Sequence, residues 1–180
     1  MFGWLYHSML RRMERRYGYD ATYLHEVVDT APEAARRFLK MQMAGKWQGD
    51  LPREAFHAAS LGGAVHEDCG PCVQIVTDMA LEAGVAPATL AALLSGGGDT
   101  QTKLAFDYAR ALLAGSDKLD ALRDAAKDAF GDKGLIALSL TAMTARNFPV
   151  LKRAMGHARE CRRVKVGSDQ IAVAPSLKAA

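Results

Sequence analysis

Cys69 and Cys72, within Cys69-Gly70-Pro71-Cys72, have the residue types and spacing for reversible sulfur chemistry. Two cysteines at i and i+3 on a helix start share one face, and their sulfurs can join with little backbone movement. A helix N-terminus also presents backbone N–H groups without intrahelical partners and partial positive charge, which favour a thiolate over a thiol of ordinary pKa about 8.5. The same residues admit other readings. His66-x-x-Cys69-x-x-Cys72 offers three soft ligands on one helix face, with His57 as a fourth, although structural zinc usually uses two paired knuckles separated by a loop. Two small buried residues would be chemically inert. Cys161 has no partner by spacing, and three cysteines in 180 residues form a poor framework for a secreted protein. They suit a reducing compartment, so a cytoplasmic protein is expected.

Such a pair needs a helix that starts at the dithiol. Asp68 or Cys69 can cap it, Pro71 falls in its first turn where a missing N–H costs little, and Gly84 suits its left-handed stop. Cys72, Val76, Met79 and Ala83 recur at four, three and four, which predicts an apolar stripe headed by Cys72, with Asp78 and Glu82 outward. Upstream, Phe2, Tyr6, Met9 and Met13 mark one face of an N-terminal helix that packs on the subunit or a neighbour. Asp20 caps a helix to about Val28, and Thr30-Ala31-Pro32-Glu33 has the capping-box pattern for a helix through Ala44. Asp50 and Pro52 open another, with Phe56, His57, Ser60, Leu61 and Ala64 on its buried side. Downstream, Pro87 starts a short helix to Ser95. Gly96-Gly97-Gly98 lacks the spacing of a phosphate loop and reads as a connector. Asp99 or Thr100 caps a helix ending near Gly115, Asp117 caps one to Phe130, and residues 133–156 form the last, with Pro149 as a kink. No segment sustains period-two alternation, so no sheet is expected, and residues 157–180 read as a basic tail that stays loose unless it docks.

The fold class that follows is all-α, a single-domain helical bundle. About half the residues are apolar (49%), enough for one core, and the longest apolar runs fall far short of the ~20 residues of a spanning helix. Residues 1–19 lack the apolar run and cleavage site of a secretory signal. The net charge of +3 is modest, and the arginine clusters near each end carry no interleaved recognition motif. Neither a nucleic-acid nor a membrane partner is expected.

The dithiol is also that of thioredoxin, but there it follows a buried strand and needs a downstream cis-proline. Here Ala55-Phe56-His57-Ala58-Ala59 reads helical and no proline lies between Pro87 and Pro149. The stretch from Cys69 through Ala83-Gly84-Val85 and Pro87 to Leu94 instead resembles the core of the AhpD-like, or carboxymuconolactone decarboxylase-like, family. The resemblance continues through Lys103-Leu-Ala-Phe-Asp-Tyr-Ala-Arg-Ala-Leu and the final helix with Arg146-Asn147. It implies an AhpD-like domain over 1–156, with N-terminal helices over 1–29 and the family core over 30–156.

By this resemblance Cys72 is the thiolate that attacks a hydroperoxide and Cys69 the partner that closes the disulfide, later reopened by an external dithiol. No cofactor and no metal are implied, and a homo-oligomer, a trimer or hexamer, is. The family's active members carry a histidine four residues after the second cysteine and a glutamate twelve before the first. Those positions here are Val76 and His57, so the usual proton relay is broken. His57, Glu54 one turn before it and His66 three residues before Cys69 are the candidate substitutes, while Glu67 and Asp68 read as helix caps. His7, His25 and His157 have no pattern around them. A metal-binding module on His66, Cys69 and Cys72 and a non-catalytic oligomeric protein are the alternatives.

Overall fold

The computed structural model describes residues 2–157 and 163–173. Among these, nine helices run in chain order as α1 (Phe2–Tyr17), α2 (Thr22–Thr30), α3 (Pro32–Ala44), α4 (Arg53–His66), α5 (Gly70–Glu82), α6 (Pro87–Leu94), α7 (Thr100–Ala114), α8 (Leu119–Ala145) and α9 (Asn147–Ala154). A hairpin, β1 (Arg163–Val166) and β2 (Asp169–Ala172), follows. The protein is all-α apart from that hairpin.

Proline and glycine set most boundaries as expected. Pro32, Pro71 and Pro87 lie in the first turns of α3, α5 and α6. Gly115, at φ 62°, ends α7, whose start is capped by Asp99 accepting from the Gln101 and Thr102 N–H groups. The capping box at Thr30 is not made: Thr30 ends α2, Ala31 precedes α3, and Glu33 pairs with Arg36 and Arg37. The expected break after Phe130 occurs at Gly131, whose φ of 70° and ψ of 179° bend α8. The second break falls at Arg146 rather than at Pro149, which lies in the first turn of α9 where proline is tolerated.

Two cores hold the bundle. The first joins α4 to α8 and the hairpin through Leu61, Val65, Val73, Leu90, Phe106, Leu138 and Val164. Its closest crossings use glycine. A Cβ at Gly62 would lie 2.6 Å from the Phe106 carbonyl oxygen, and one at Gly63 2.8 Å from the Ala145 Cβ. Gly62-Gly63, a small-residue face suited to association, therefore serves packing within the chain. The stretch Leu119–Ala154 is long and apolar enough by composition to cross a membrane. It is bent at Gly131, broken at Arg146, and buries Ala126, Ala137, Leu138 and Ala142 in this core.

The second core joins α1, α2, α3 and α9 to the dithiol, through Tyr6, Leu10, Tyr19, Tyr23, Leu24, Val28 and Ala35, with Phe148 and Leu151 packed against it. On α1 the inward residue is Leu10, fully buried, while Met9 is exposed, so the face is rotated by one residue from the expected one. His7 and His25, without pattern in the sequence, stack between α1 and α2 with their Nδ1 atoms 2.5 Å apart. The chain continues from His7 Nε2 to Asp29 at 2.8 Å and from His25 Nε2 to Glu14 at 3.4 Å.

The sequence shows no sheet because each strand is four residues long, too short for an alternation signal. Val164 and Val166 are buried and Lys165 is exposed, so the hairpin does alternate. It docks through the Gln74 side chain of α5, which donates to the Lys165 carbonyl at 2.9 Å and accepts from the Lys165 N–H at 2.7 Å. An amide side chain thus takes the place of a neighbouring strand. Residues 163–173 of the expected loose tail are docked; Cys161 lies outside the described residues.

Candidate active site

The Glu67–Cys69 connection turns the chain from α4 into α5. Asp68 sits in the left-handed region at φ 52°, and Cys69 takes the extended conformation of a helix N-cap. The Cys69 carbonyl accepts from the Val73 N–H at 2.9 Å, which fixes the first turn of α5 and puts Cys72 beside Cys69. The two sulfurs form a disulfide across a Cα–Cα distance of 5.2 Å. Cys69 is 6% exposed and Cys72 3%. Among the described residues no group of three His, Cys, Asp or Glu side chains is arranged to hold a metal ion, and the sulfurs that such a reading needs are bonded to each other.

Behind Cys72, α5 turns Val73, Thr77 and Ala80 into the first core, with Val76 half-buried and Met79 40% exposed. The buried stripe therefore runs one position beside the expected one, because α5 packs against both α4 and the hairpin.

Tyr19 is the group that meets the Cys72 sulfur. Its hydroxyl lies 3.8 Å from Cys72 Sγ and 3.1 Å from the Tyr23 hydroxyl. A disulfide sulfur has no proton to give, so Tyr19 donates to Cys72 and Tyr23 donates to Tyr19. Burial pushes both phenols above their ordinary pKa, which keeps them protonated as donors. Lys152, 3% exposed, holds its ammonium 4.5 Å from the Tyr19 ring centroid and 5.5 Å from that of Tyr23. It also donates to the Asp20 carbonyl at 3.1 Å. The cation on the aromatic faces ties α9 to the segment before α2.

On the other side of the dithiol, the buried Glu67 carboxylate is held by two arginines. Arg146 lies 2.8 Å from Oε1 and Arg153 2.6 Å from Oε2, and Arg153 also donates to the Glu67 carbonyl at 3.3 Å. His66 Nε2 stands 4.0 Å from Oε1. Glu67 is thus no helix cap, and α5 starts without a side-chain cap from Asp68. A carboxylate placed between one cation from the α8–α9 junction and one from the last turn of α9 locks the turn that carries Cys69.

Of the relay candidates, His66 is buried at the end of α4 beside Glu67. His57 is half-buried earlier on α4, edge-on to Phe56, with exposed Glu54 one turn before it. Burial, then the Arg53 charge, lowers the His57 pKa, so the ring is neutral near pH 7. Neither His57 nor Glu54 hydrogen-bonds the sulfur of Cys69 or Cys72. Tyr19, Lys152 and the Glu67–Arg146–Arg153 cluster escaped sequence reasoning, since a lysine or tyrosine among others gives no local sign of long-range contact. The nearest hint is the grouping of Tyr17, Tyr19 and Tyr23.

Comparison with known proteins gives one match. The family model described as Carboxymuconolactone decarboxylase family matches residues 32–115, from the start of α3 to the end of α7. No curated protein and no solved structure matches the chain significantly. Tyr19, Arg146, Lys152 and Arg153 fall outside the matched span, and the dithiol falls inside it. The segment that carries Cys69 and Cys72 is thus similar to the carboxymuconolactone decarboxylase family over just under half of the chain.

Proposed function

We infer that the protein is a dithiol–disulfide oxidoreductase of the AhpD-like type that reduces hydroperoxides. The observation that carries this reading is the Cys69–Cys72 disulfide at the N-terminus of α5, in a segment that matches the carboxymuconolactone decarboxylase family model. In the reduced protein the Cys72 thiolate attacks the peroxide oxygen; the S–O bond forms, the O–O bond breaks, and the alcohol leaves after taking up a proton. Cys69 then attacks the Cys72 sulfenic acid, forming the S–S bond and releasing water. An external dithiol reduces the disulfide by exchange and is itself oxidised. Val76 cannot move protons, so His57, neutral near pH 7, and the buried His66 are the candidates to do so, with Glu54 beside His57.

A cytoplasmic location fits the demand for a reducing partner. Self-association, as a trimer or hexamer, is supported by exposed apolar residues such as Ile136 and Met143, which lie two turns apart on one face of α8. The burial of both sulfurs favours one other reading, a structural or sensing disulfide without turnover. Peroxide-dependent oxidation of dithiothreitol by metal-free protein separates the two. Catalytic turnover supports the peroxidase, and a single oxidation event without turnover supports the sensor.

A further inference from the structure

The Cys72 sulfur has a protein donor that comes from outside the family-matched segment and that the proton relay above does not use. Tyr19 precedes α2 and closes on the start of α5, and Lys152 of α9 lies over the Tyr19 ring. We propose that the Tyr19 hydroxyl is a catalytic hydrogen-bond donor to Cys72 Sγ and that Lys152 positions it, so that negative charge collects on Cys72 when the disulfide opens. The proposal rests on the dithiol reading above and assigns the residues that stabilise its thiolate.

When an external dithiol thiolate attacks Cys69 Sγ, a new S–S bond forms to Cys69 and the Cys69–Cys72 bond breaks. The electron pair departs on Cys72 as a thiolate. That sulfur already lies 3.8 Å from a phenol whose own acceptor site is filled by Tyr23, so the Tyr19 proton is directed at it. A hydrogen bond to an ionised acceptor is shorter and roughly twice as strong as one between neutral groups. The contact therefore tightens as charge develops. The ammonium of Lys152 over the Tyr19 ring adds positive potential in a site from which water is excluded. In the forward direction the same two groups hold Cys72, rather than Cys69, as the thiolate that meets a hydroperoxide.

Other ionisable groups bear on this sulfur. Tyr6 of α1 and Tyr23 pack in the same core. The Asp20 carboxylate, held below the usual carboxylate range by hydrogen bonds from Thr22, is an opposing charge that Lys152 also feels. His66 and Glu67 stand before Cys69, where Arg146 and Arg153 neutralise the carboxylate. The two tyrosines are neutral, and Lys152 supplies the positive charge on the Tyr19 side.

The test uses full-length protein carrying Cys161→Ser. The Cys72 thiolate is titrated by its absorbance near 240 nm in a Cys69→Ser background, and the intact dithiol is equilibrated with dithiothreitol. Tyr19→Phe, which deletes one oxygen, is expected to raise the Cys72 pKa by about one unit or more and to shift the equilibrium toward the disulfide about tenfold. Lys152→Met is expected to move both in the same direction, and Lys152→Arg to keep most of the wild-type values. A merely structural lysine would change the melting temperature and leave both readouts alone. If Lys152→Met does not fold, Tyr19→Phe decides the matter. An unshifted pKa and equilibrium in Tyr19→Phe overturn this proposal while the redox reading stands, whereas a wild-type disulfide that no dithiol can reduce overturns both.

Discussion

Tyr19 and Cys72, 53 residues apart, meet at 3.8 Å between the phenol oxygen and the sulfur. The contact places the N-terminal helices against the one feature of the chain with evident redox chemistry. It also means that the dithiol is half enclosed by residues of the family-matched segment and half by α1, α2 and α9, which lie outside it.

Cys72→Ser should abolish peroxide consumption, while Cys69→Ser should allow one oxidation event and no turnover. In the wild type, thiol counting before and after mild peroxide should change by two, with Cys161 outside the pair. A count that stays at three thiols after peroxide would end the redox reading.

Glu67→Ala removes a buried carboxylate from between Arg146 and Arg153. Both guanidinium groups are partly solvated, so the loss should be below that of a fully buried ion pair, about 1–3 kcal/mol by denaturant titration. The dithiol should also become more reactive toward alkylating agents, because the turn carrying Cys69 loses its anchor. An unchanged midpoint and alkylation rate would count against that anchoring role.

The His57 pKa is lowered from its ordinary value of 6.5, first by burial and then by Arg53. Below pH 6.5 the unfolded chain therefore holds more protons at this residue than the folded one. Its contribution to stability is present above that pH and is lost as the pH falls through the lower folded-state value. Melting temperatures between pH 7 and pH 5 should fall less steeply in His57→Gln than in the wild type. Parallel curves would mean that His57 is not desolvated.

Val76→His restores a histidine one turn after Cys72, where resemblance to the family expects one. General base catalysis is worth about 10²–10⁴-fold, so peroxidase activity should rise within that range if the ring reaches the sulfur. His57→Ala in the wild-type background should lower activity. A fold that survives both changes with the same rate excludes proton relay through positions 57 and 76.

Gly62→Val drives a side chain into the Phe106 carbonyl, where even a Cβ would stand at 2.6 Å. Prying α4 from α7 should cost about 1–3 kcal/mol, read from urea midpoints. Since this glycine face is internal, the oligomeric state seen by light scattering should not respond to the substitution in any variant that folds.

Local chemistry was legible in the sequence: Pro71 and Pro87 open helices, Asp99 caps one, Gly115 stops one, and the spacing of Cys69 and Cys72 already requires that their sulfurs can meet. Each depends on a few neighbouring residues and on the restricted backbone of proline or the freedom of glycine. The inward residue of α1 was displaced from Met9 to Leu10, and the stripe of α5 by one position, because helical periodicity defines a face only to within about one residue while the packed neighbours choose it. The hairpin, the seat of Glu67 between Arg146 and Arg153, and Lys152 stacked on Tyr19 belong to tertiary structure alone. In the last two, a polar group is buried only because a partner 79 or 133 positions away, from Glu67 to Arg146 (146 − 67) and from Tyr19 to Lys152 (152 − 19), satisfies it there. No local pattern records that such a partner will arrive, since its position depends on how every intervening helix packs.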